Sequence, residues 1–393
     1  MKIDFGDIKI SIKERVQDFQ VQEIVDFPIK NTGDFGVYIL KKWGANTWDV
    51  LGDIKKRLRR SAREIAYAGL KDRHAITSQY ITIYQGPKKD IKGKNYNLKY
   101  LGQTDRPISR SNLKGNRFKI KIRVSKDIPE DFFLRQVELV EKYGIPNYYD
   151  DQRFSSVPKN KLFFAKELVL KRYKNALYSI LVNSSQKESS KTKKFRECLK
   201  ENWGDFSKCL SLAPPNWEKQ VLKILSSGRL SNSKIKKALS IIDREFLFFQ
   251  CNVYQSYVWN KVLKNFLKSL DIPLKKVPGE IMDLFFYSSL GPQAFDQVIT
   301  TQIPLPGPNI VLETNLFEIY RRVLEEEGIK DIGAFRTRVK GAVFKSSPRH
   351  AIFIPDIFKW EKSTPYIWQI DFFLQKGSYA TIFIKRLFLF YEE

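Results

Sequence analysis

Alternation is clearest over Asn116–Val124. Phe118, Ile120, Ile122 and Val124 share one parity, while Lys119, Lys121 and Arg123 share the other. That pattern predicts a strand with one dry face and one cationic wet face. Phe19–Ile24 and Val37–Lys42 read as two further strands, and Ile76–Tyr84, rich in β-branched and aromatic residues, as another after a short strand over Glu64–Ala68. From Trp48 to Arg60 the period becomes helical. Val50, Leu51, Ile54 and Leu58 line one side, Lys55, Lys56, Arg57, Arg59 and Arg60 cover the rest, and Asn46-Thr47 supplies the start signal. A second helix runs from Pro129 to Tyr143 and closes at Gly144. The segment 145–154 that follows reads as irregular.

Past Pro158, helical periodicity dominates residues 159–270. The charged run Lys187–Arg196 predicts a solvated connection. Ile235–Leu270 predicts one long helix whose Phe246, Phe248, Phe249, Tyr254, Tyr257 and Trp259 form core. Strand patterning returns at Ala351–Lys359 and Tyr366–Leu374. A last helix opens after Lys376-Gly-Ser378, with Ser378 as N-cap, and runs to about Leu389. Strands at both ends around a helical middle predict an α+β protein. Its domain would span 1–156, continue at 306–393, and be interrupted by a mainly helical insertion at 157–305, with Pro304–Pro308 as the return linker.

Charge narrows the class. Lys plus Arg number 69 against 43 Asp plus Glu, a net +26, so the partner to expect is a polyanion, and nucleic acid first. No apolar stretch is long enough for a signal peptide or a membrane span, which predicts a cytoplasmic protein without a membrane partner. Cys198, Cys209 and Cys251 are widely spaced and read as reduced core residues. With only His74 and His350, no zinc site is predicted, and no glycine-rich nucleotide motif is present, so neither metal nor cofactor is expected.

The candidate chemistry lies in Gly69-Leu-Lys-Asp-Arg-His-Ala75, a loop between two predicted strands. An Asp72 flanked by Lys71 and Arg73 has its ionised form favoured, ready to act as nucleophile or base. By these residues alone the plainer reading is a turn aspartate bonding its own backbone.

Motifs along the whole chain change that balance. Ala68–Gln79 resembles the G-x-K-D-[KR]-x-A-x-T-x-Q motif of the TruD-type tRNA pseudouridine synthases. Four more segments resemble the family's motifs in the same order: Lys13–Glu23 (K-x-x-x-x-D-F-x-V-x-E), Leu113–Phe118 (L-x-G-N-x-F), Ile145–Phe154 (P-N-Y-[FY]-G-x-Q-R-F-G) and Lys376–Thr381 (G-S-[FY]-A-T). Tyr254-Gln-Ser256 and Leu305-Pro-Gly307 resemble it more loosely. Asp150 and Ser155 stand where the family has glycine.

The resemblance implies a pseudouridine-synthase α+β fold, a mixed or antiparallel sheet with an inserted, mainly helical TRUD domain. It implies isomerisation of uridine in tRNA, most typically at position 13 of the D-arm. It assigns the nucleophile or base to Asp72, the ring against the flipped-out base to Phe118, a supporting amide to Asn116 and the cation beside the carboxylate to Lys13. Lys71, Gln152 and Arg153 are carried over as substrate contacts. The sequence leaves the oligomeric state open, with a monomer the favoured expectation. The alternatives are a non-enzymatic basic RNA-binding protein, and a retaining glycosidase, which would need two carboxylates about 5 Å apart. Phosphate contacts are expected from helix 48–60, the wet face of 116–124 and Arg153.

Overall fold

Strand Leu113–Val124 is the axis of an eleven-stranded mixed sheet. The computed structural model describes residues 2–158, 160–183 and 189–392. They fall into two compact units, Met1–Asn147 with Ile352–Glu393, and Tyr148–Ala351.

In the first unit the strands are β1 (Lys2–Asp4), β2 (Lys9–Ser11), β3 (Phe19–Val25), β4 (Phe35–Trp43), β5 (Ile65–Tyr67), β6 (Ile76–Tyr84), β7 (Ile91–Lys92), β8 (Tyr96–Thr104) and β9 (Leu113–Val124). A C-terminal hairpin, Asp356–Thr364 and Ile367–Gln375, completes the sheet by pairing its second strand along β9. Every pairing is antiparallel except β3 with β6.

One face of the sheet is covered by helices. Helix α1 (Thr47–Leu58) buries Val50, Leu51 and Ile54 against Tyr38, Leu40, Ile81, Ile83, Tyr96 and Leu98. Each such side chain removed from water contributes about 1.5–3 kcal/mol. Arg59, left-handed at φ 52°, ends the helix by donating its N–H to Lys55 and Lys56 carbonyls. Helix α2 (Glu130–Tyr143) sets Phe133 on Trp368, ring centroids 4.2 Å apart, and ends at Gly144 with φ 69°. The C-terminal helix Ala380–Phe388 is buried along its whole length, and its Arg386 donates to Gln136 at 2.8 Å.

Three local expectations change. Ser378 is not the N-cap: Gly377, at φ 96°, turns the chain first, and the helix begins after Tyr379. The long helix over 235–270 is two helices, because the Asp243 carboxylate caps Phe246 N–H at 2.9 Å and starts a new one. The run Lys187–Arg196 is mostly helix from Ser190 onward, and its Lys187 and Glu188 lie outside the described residues.

The second unit is built on helices α3 (Phe164–Val169), α4 (Tyr173–Val182), α5 (Ser190–Glu201), α6 (Trp217–Ser226), α7 (Asn232–Ser240), α8 (Arg244–Lys268), α9 (Pro292–Thr300) and α10 (Thr314–Glu326). Tyr254 and Trp259 of α8 are fully buried, as their stripe predicts, whereas Phe249 is exposed. The Gln255 amide donates to Pro306 O at 2.7 Å, which joins the two segments of looser family likeness. Cys198 and Cys209 are joined by a disulfide rather than reduced, since the turn after α5 folds one back onto the other. Cys251 is buried and unbonded to another cysteine. The sequence reading divides the chain at 156/157 and 305/306. The compact unit runs from 148 to 351; within it Tyr148 and Tyr149 pack on Phe286 and Trp259, and strand Gln302–Pro304 pairs with Pro348–His350.

Candidate active site

The loop 68–75 leaves β5 and enters β6, and three buried side chains hold its backbone. Lys42 on β4 donates to Lys71 O at 3.3 Å and Asp72 O at 2.7 Å. The Thr47 hydroxyl accepts from Lys71 N–H at 3.1 Å and donates to Lys71 O at 3.2 Å. The Gln79 amide donates to Gly69 O at 3.1 Å.

Strand register explains why these residues converge. Tyr96, Lys42, Thr77, Val21, Phe118 and Phe372 stand opposite one another on successive strands, so they form one row across one face. Leu40 faces Gln79 in the next row on that face, and Glu23 faces Asn116.

Side chains on the two sides of the loop diverge. The ammonium of Lys71, only 9% exposed, pairs at 2.5 Å with a fully buried Glu23 carboxylate, whose other oxygen accepts from Tyr80 N–H at 3.0 Å. This differs from the expected substrate contact and from the expected Lys71–Asp72 pairing, because Glu23 lies inward on β3 and needs a buried cation. Asp72 turns the other way and meets Lys13, Nζ to Oδ2 at 2.5 Å, with side-chain exposures of 31% and 13%. Lys13 holds φ at +63°, a conformation that costs a non-glycine residue about 1–3 kcal/mol and that clusters at functional sites. Its ammonium also lies 4.0 Å from the Phe19 ring centroid, and Phe19 meets Phe118 edge-on at 6.0 Å. Burial pushes the Lys42 ammonium down to about 8, against the opposing attraction of Asp72 and with the repulsion of Lys71.

Asp72, Lys13, Lys71, Asn116 and Phe118 therefore all belong to the first unit. Phe118 keeps the core parity of its strand: it is 8% exposed and stacked on Phe372 at 5.3 Å. Asn116 Oδ1 is buried and has no hydrogen-bond partner among the described residues, which is uncommon for a buried polar atom. Gln152 and Arg153 lie in the second unit, on the short 3-10 turn Asp151–Phe154. Gln152 is exposed there, and Arg153 Nε donates to Ser256 Oγ at 3.1 Å. Asp150 and Ser155, which replace family glycines, have φ of −79° and −59°, so neither position demands glycine. The cationic wet face of β9 is partly committed: Arg123 binds Asp18, and Arg117 binds Asp371 through two bonds of 2.8 and 2.9 Å. Among the described residues no group of three His, Cys, Asp or Glu side chains is placed to hold a metal ion. No helix among them is long and apolar enough to cross a membrane.

Lys42, Thr47 and Glu23 are the functional candidates that sequence reasoning missed. For Lys42 and Glu23 the signal was parity: position 42 continues the inward series Tyr38, Leu40, and position 23 continues Phe19, Val21, so each places a charge where the pattern asks for an apolar side chain. Thr47 reads in sequence only as part of a helix start signal.

Comparison with known proteins bears on the whole chain. The family model for tRNA pseudouridine synthase D (TruD) matches residues 3–387. "Probable tRNA pseudouridine synthase D 1" of Methanococcus maripaludis is 30% identical over 393 residues, covering 96% of this chain and 99% of its own. The tRNA pseudouridine synthase D of Aquifex aeolicus is 29% identical over 388 residues, with 96% and 98% covered. The crystal structure of the "Putative tRNA pseudouridine synthase D (TruD)" from Methanosarcina mazei matches at a TM-score of 0.69 and 23% identity, over 96% of this chain and 92% of that one, which speaks to the fold. With the family model spanning both units and the Asp72 loop between its ends, the chain belongs to the TruD family of tRNA pseudouridine synthases.

Proposed function

We propose that this enzyme isomerises uridine 13 in the D-arm of tRNA and that the Asp72 carboxylate is the group that reacts. The reading rests on family membership for the reaction and, for the residue, on one observation: Lys13, in a strained backbone conformation, directs its ammonium onto Asp72 at 2.5 Å. A cation at that distance favours the carboxylate form over the acid.

The target uridine must leave its stack, at a cost of a few kcal/mol. The N1–C1′ bond then breaks, the base turns, and C5 bonds to C1′. N1 takes up a proton and C5 releases one, so the conversion balances without an oxidant or reductant. The Asp72 carboxylate serves it either by adding covalently to the substrate or by stabilising a cationic sugar and moving the C5 proton. Asn116 offers its unpartnered Oδ1 to a donor on the base. Phe118 receives the ring of the base; with 8% of the residue exposed, this requires the Phe19–Phe118–Phe372 cluster to open toward Lys13. Lys71 acts through Glu23, as a strut of the loop. Gln152 and Arg153 bind the RNA from the second unit, Tyr148–Ala351, which we assign as the family's inserted domain. The enzyme works as a monomer in the cytoplasm.

Carbodiimide-stop mapping of tRNA after incubation with the protein tests this. A new stop at position 13 is the expected result. A stop elsewhere overturns the position, and no stop on any tRNA overturns the activity.

A further inference from the structure

We propose that Lys42 and Thr47 are positioning residues for the reaction: together they fix the Lys71–Asp72 peptide so that the Asp72 carboxylate meets Lys13. The inference rests on the reading of Asp72 as the reacting group.

Lys42 is fully buried on β4, where a lysine is rare unless it is paired. Its ammonium has three N–H donors and reaches three carbonyls, Ala45 at 3.0 Å, Lys71 at 3.3 Å and Asp72 at 2.7 Å. Donor and acceptor numbers match, so a neutral amine would turn a lone pair toward one of those oxygens. Thr47, the first residue of α1 and 3% exposed, spends its hydroxyl on the N–H and C=O of Lys71 instead of on its own helix. Two elements thus share the carbonyl of the Lys71–Asp72 peptide and hold one further backbone group on either side of it, and the side chains of these two residues go to Glu23 and to Lys13. Rotation of that peptide would misdirect both. Facing the Lys42 ammonium are Asp72 and Lys71 on the loop, Thr77 on β6 and Tyr96 on β8, with Asp53 of α1 accepting from the Tyr96 hydroxyl at 2.7 Å.

The test compares Lys42→Met, Lys42→Arg, Thr47→Val and Asp72→Asn in single-turnover assays on the full chain, alongside tRNA affinity and melting. Lys42→Met and Thr47→Val should slow the reaction by about 100-fold, the effect of a misplacement near 1 Å, with tRNA affinity unchanged. Lys42→Arg should recover part of the rate. The wild-type rate should fall as pH rises through about 8, where Lys42 loses its proton, and the Lys42→Arg rate should not. Should Lys42→Met fail to fold, Thr47→Val and the two pH profiles decide. Folded Thr47→Val at the wild-type rate, or a wild-type pH profile that Lys42→Arg leaves unaltered, overturns the proposal. Activity surviving in Asp72→Asn would instead overturn the reading of Asp72, a separate outcome.

Discussion

Lys71 and Glu23 close a buried ion pair at 2.5 Å one residue away from Asp72, whose own partner is Lys13. Adjacent residues in one loop are therefore anchored in opposite directions, one to the sheet and one to the proposed site. Glu23→Gln removes the charge and leaves the Lys71 ammonium buried without its counterion. Breaking such a pair costs about 3–5 kcal/mol, so denaturant melts should show a loss of that order. A loss below about 1 kcal/mol, the value of a surface pair, would mean that the site admits water.

Asp72→Asn keeps the shape of the loop and its backbone bonds to Lys42 while removing the charge. tRNA should still bind, and turnover should fall below detection, because an amide neither adds to the sugar nor takes up a proton at neutral pH. Loss of binding together with activity, in a variant shown folded by circular dichroism, would make Asp72 a structural residue.

Lys13→Met keeps an unbranched side chain out to Cε and deletes the ammonium. We expect at least about a tenfold slower single turnover, or ~1.4 kcal/mol of barrier. An unaffected rate would remove Lys13 from the chemistry and leave its left-handed backbone without a functional account.

Binding to the phosphate backbone should show as salt dependence. Of the cations on α1 and just beyond its end, Arg57 is engaged by Asp53, and Arg60 by Glu64, whereas Lys56 and Arg59 are exposed. Replacing both Lys56 and Arg59 by Gln should lower the slope of log K against log salt by about 0.7–0.9 for each phosphate that the variant no longer neutralises. An unchanged slope places the RNA elsewhere.

The buried Lys42 makes a prediction about stability that runs opposite to activity. Its ammonium titrates at about 8 when folded, below the ordinary 10.5, so between those values the unfolded chain holds a proton that the folded chain has released. Stability then rises with pH across that window, by on the order of 3 kcal/mol from this group. Wild-type and Lys42→Met melts compared at pH 8 and 10 should diverge in that direction. Parallel melts would show that the amine keeps its proton.

Much of the fold was legible because period reports burial. The alternation of Phe118 to Val124 and the stripe of Val50, Leu51 and Ile54 survive as strand and helix. Two features were lost to local chemistry that period cannot see. Asp243 caps a new helix inside an unbroken apolar pattern, and Gly377 displaces the start of the last helix from Ser378. The strand Tyr96–Thr104 also went unread, although Tyr96 and Leu98 are core.

The order of the five motifs and the +26 charge already pointed to the family and to a nucleic-acid substrate, and they made Asp72 the candidate for the chemistry. The family resemblance already sets Lys13 beside the Asp72 carboxylate; what tertiary structure alone decided is where Lys71 goes. Neighbours in sequence suggest Lys71 for Asp72, but strand parity turns Glu23 inward to claim Lys71, and the chain brings Lys13 from 59 residues away to Asp72. Lys41 and Lys42 are alike as letters. The pleat of β4 exposes one to solvent and buries the other beneath the loop, because side chains on a strand alternate between its faces and only assembly of the sheet says which face is closed.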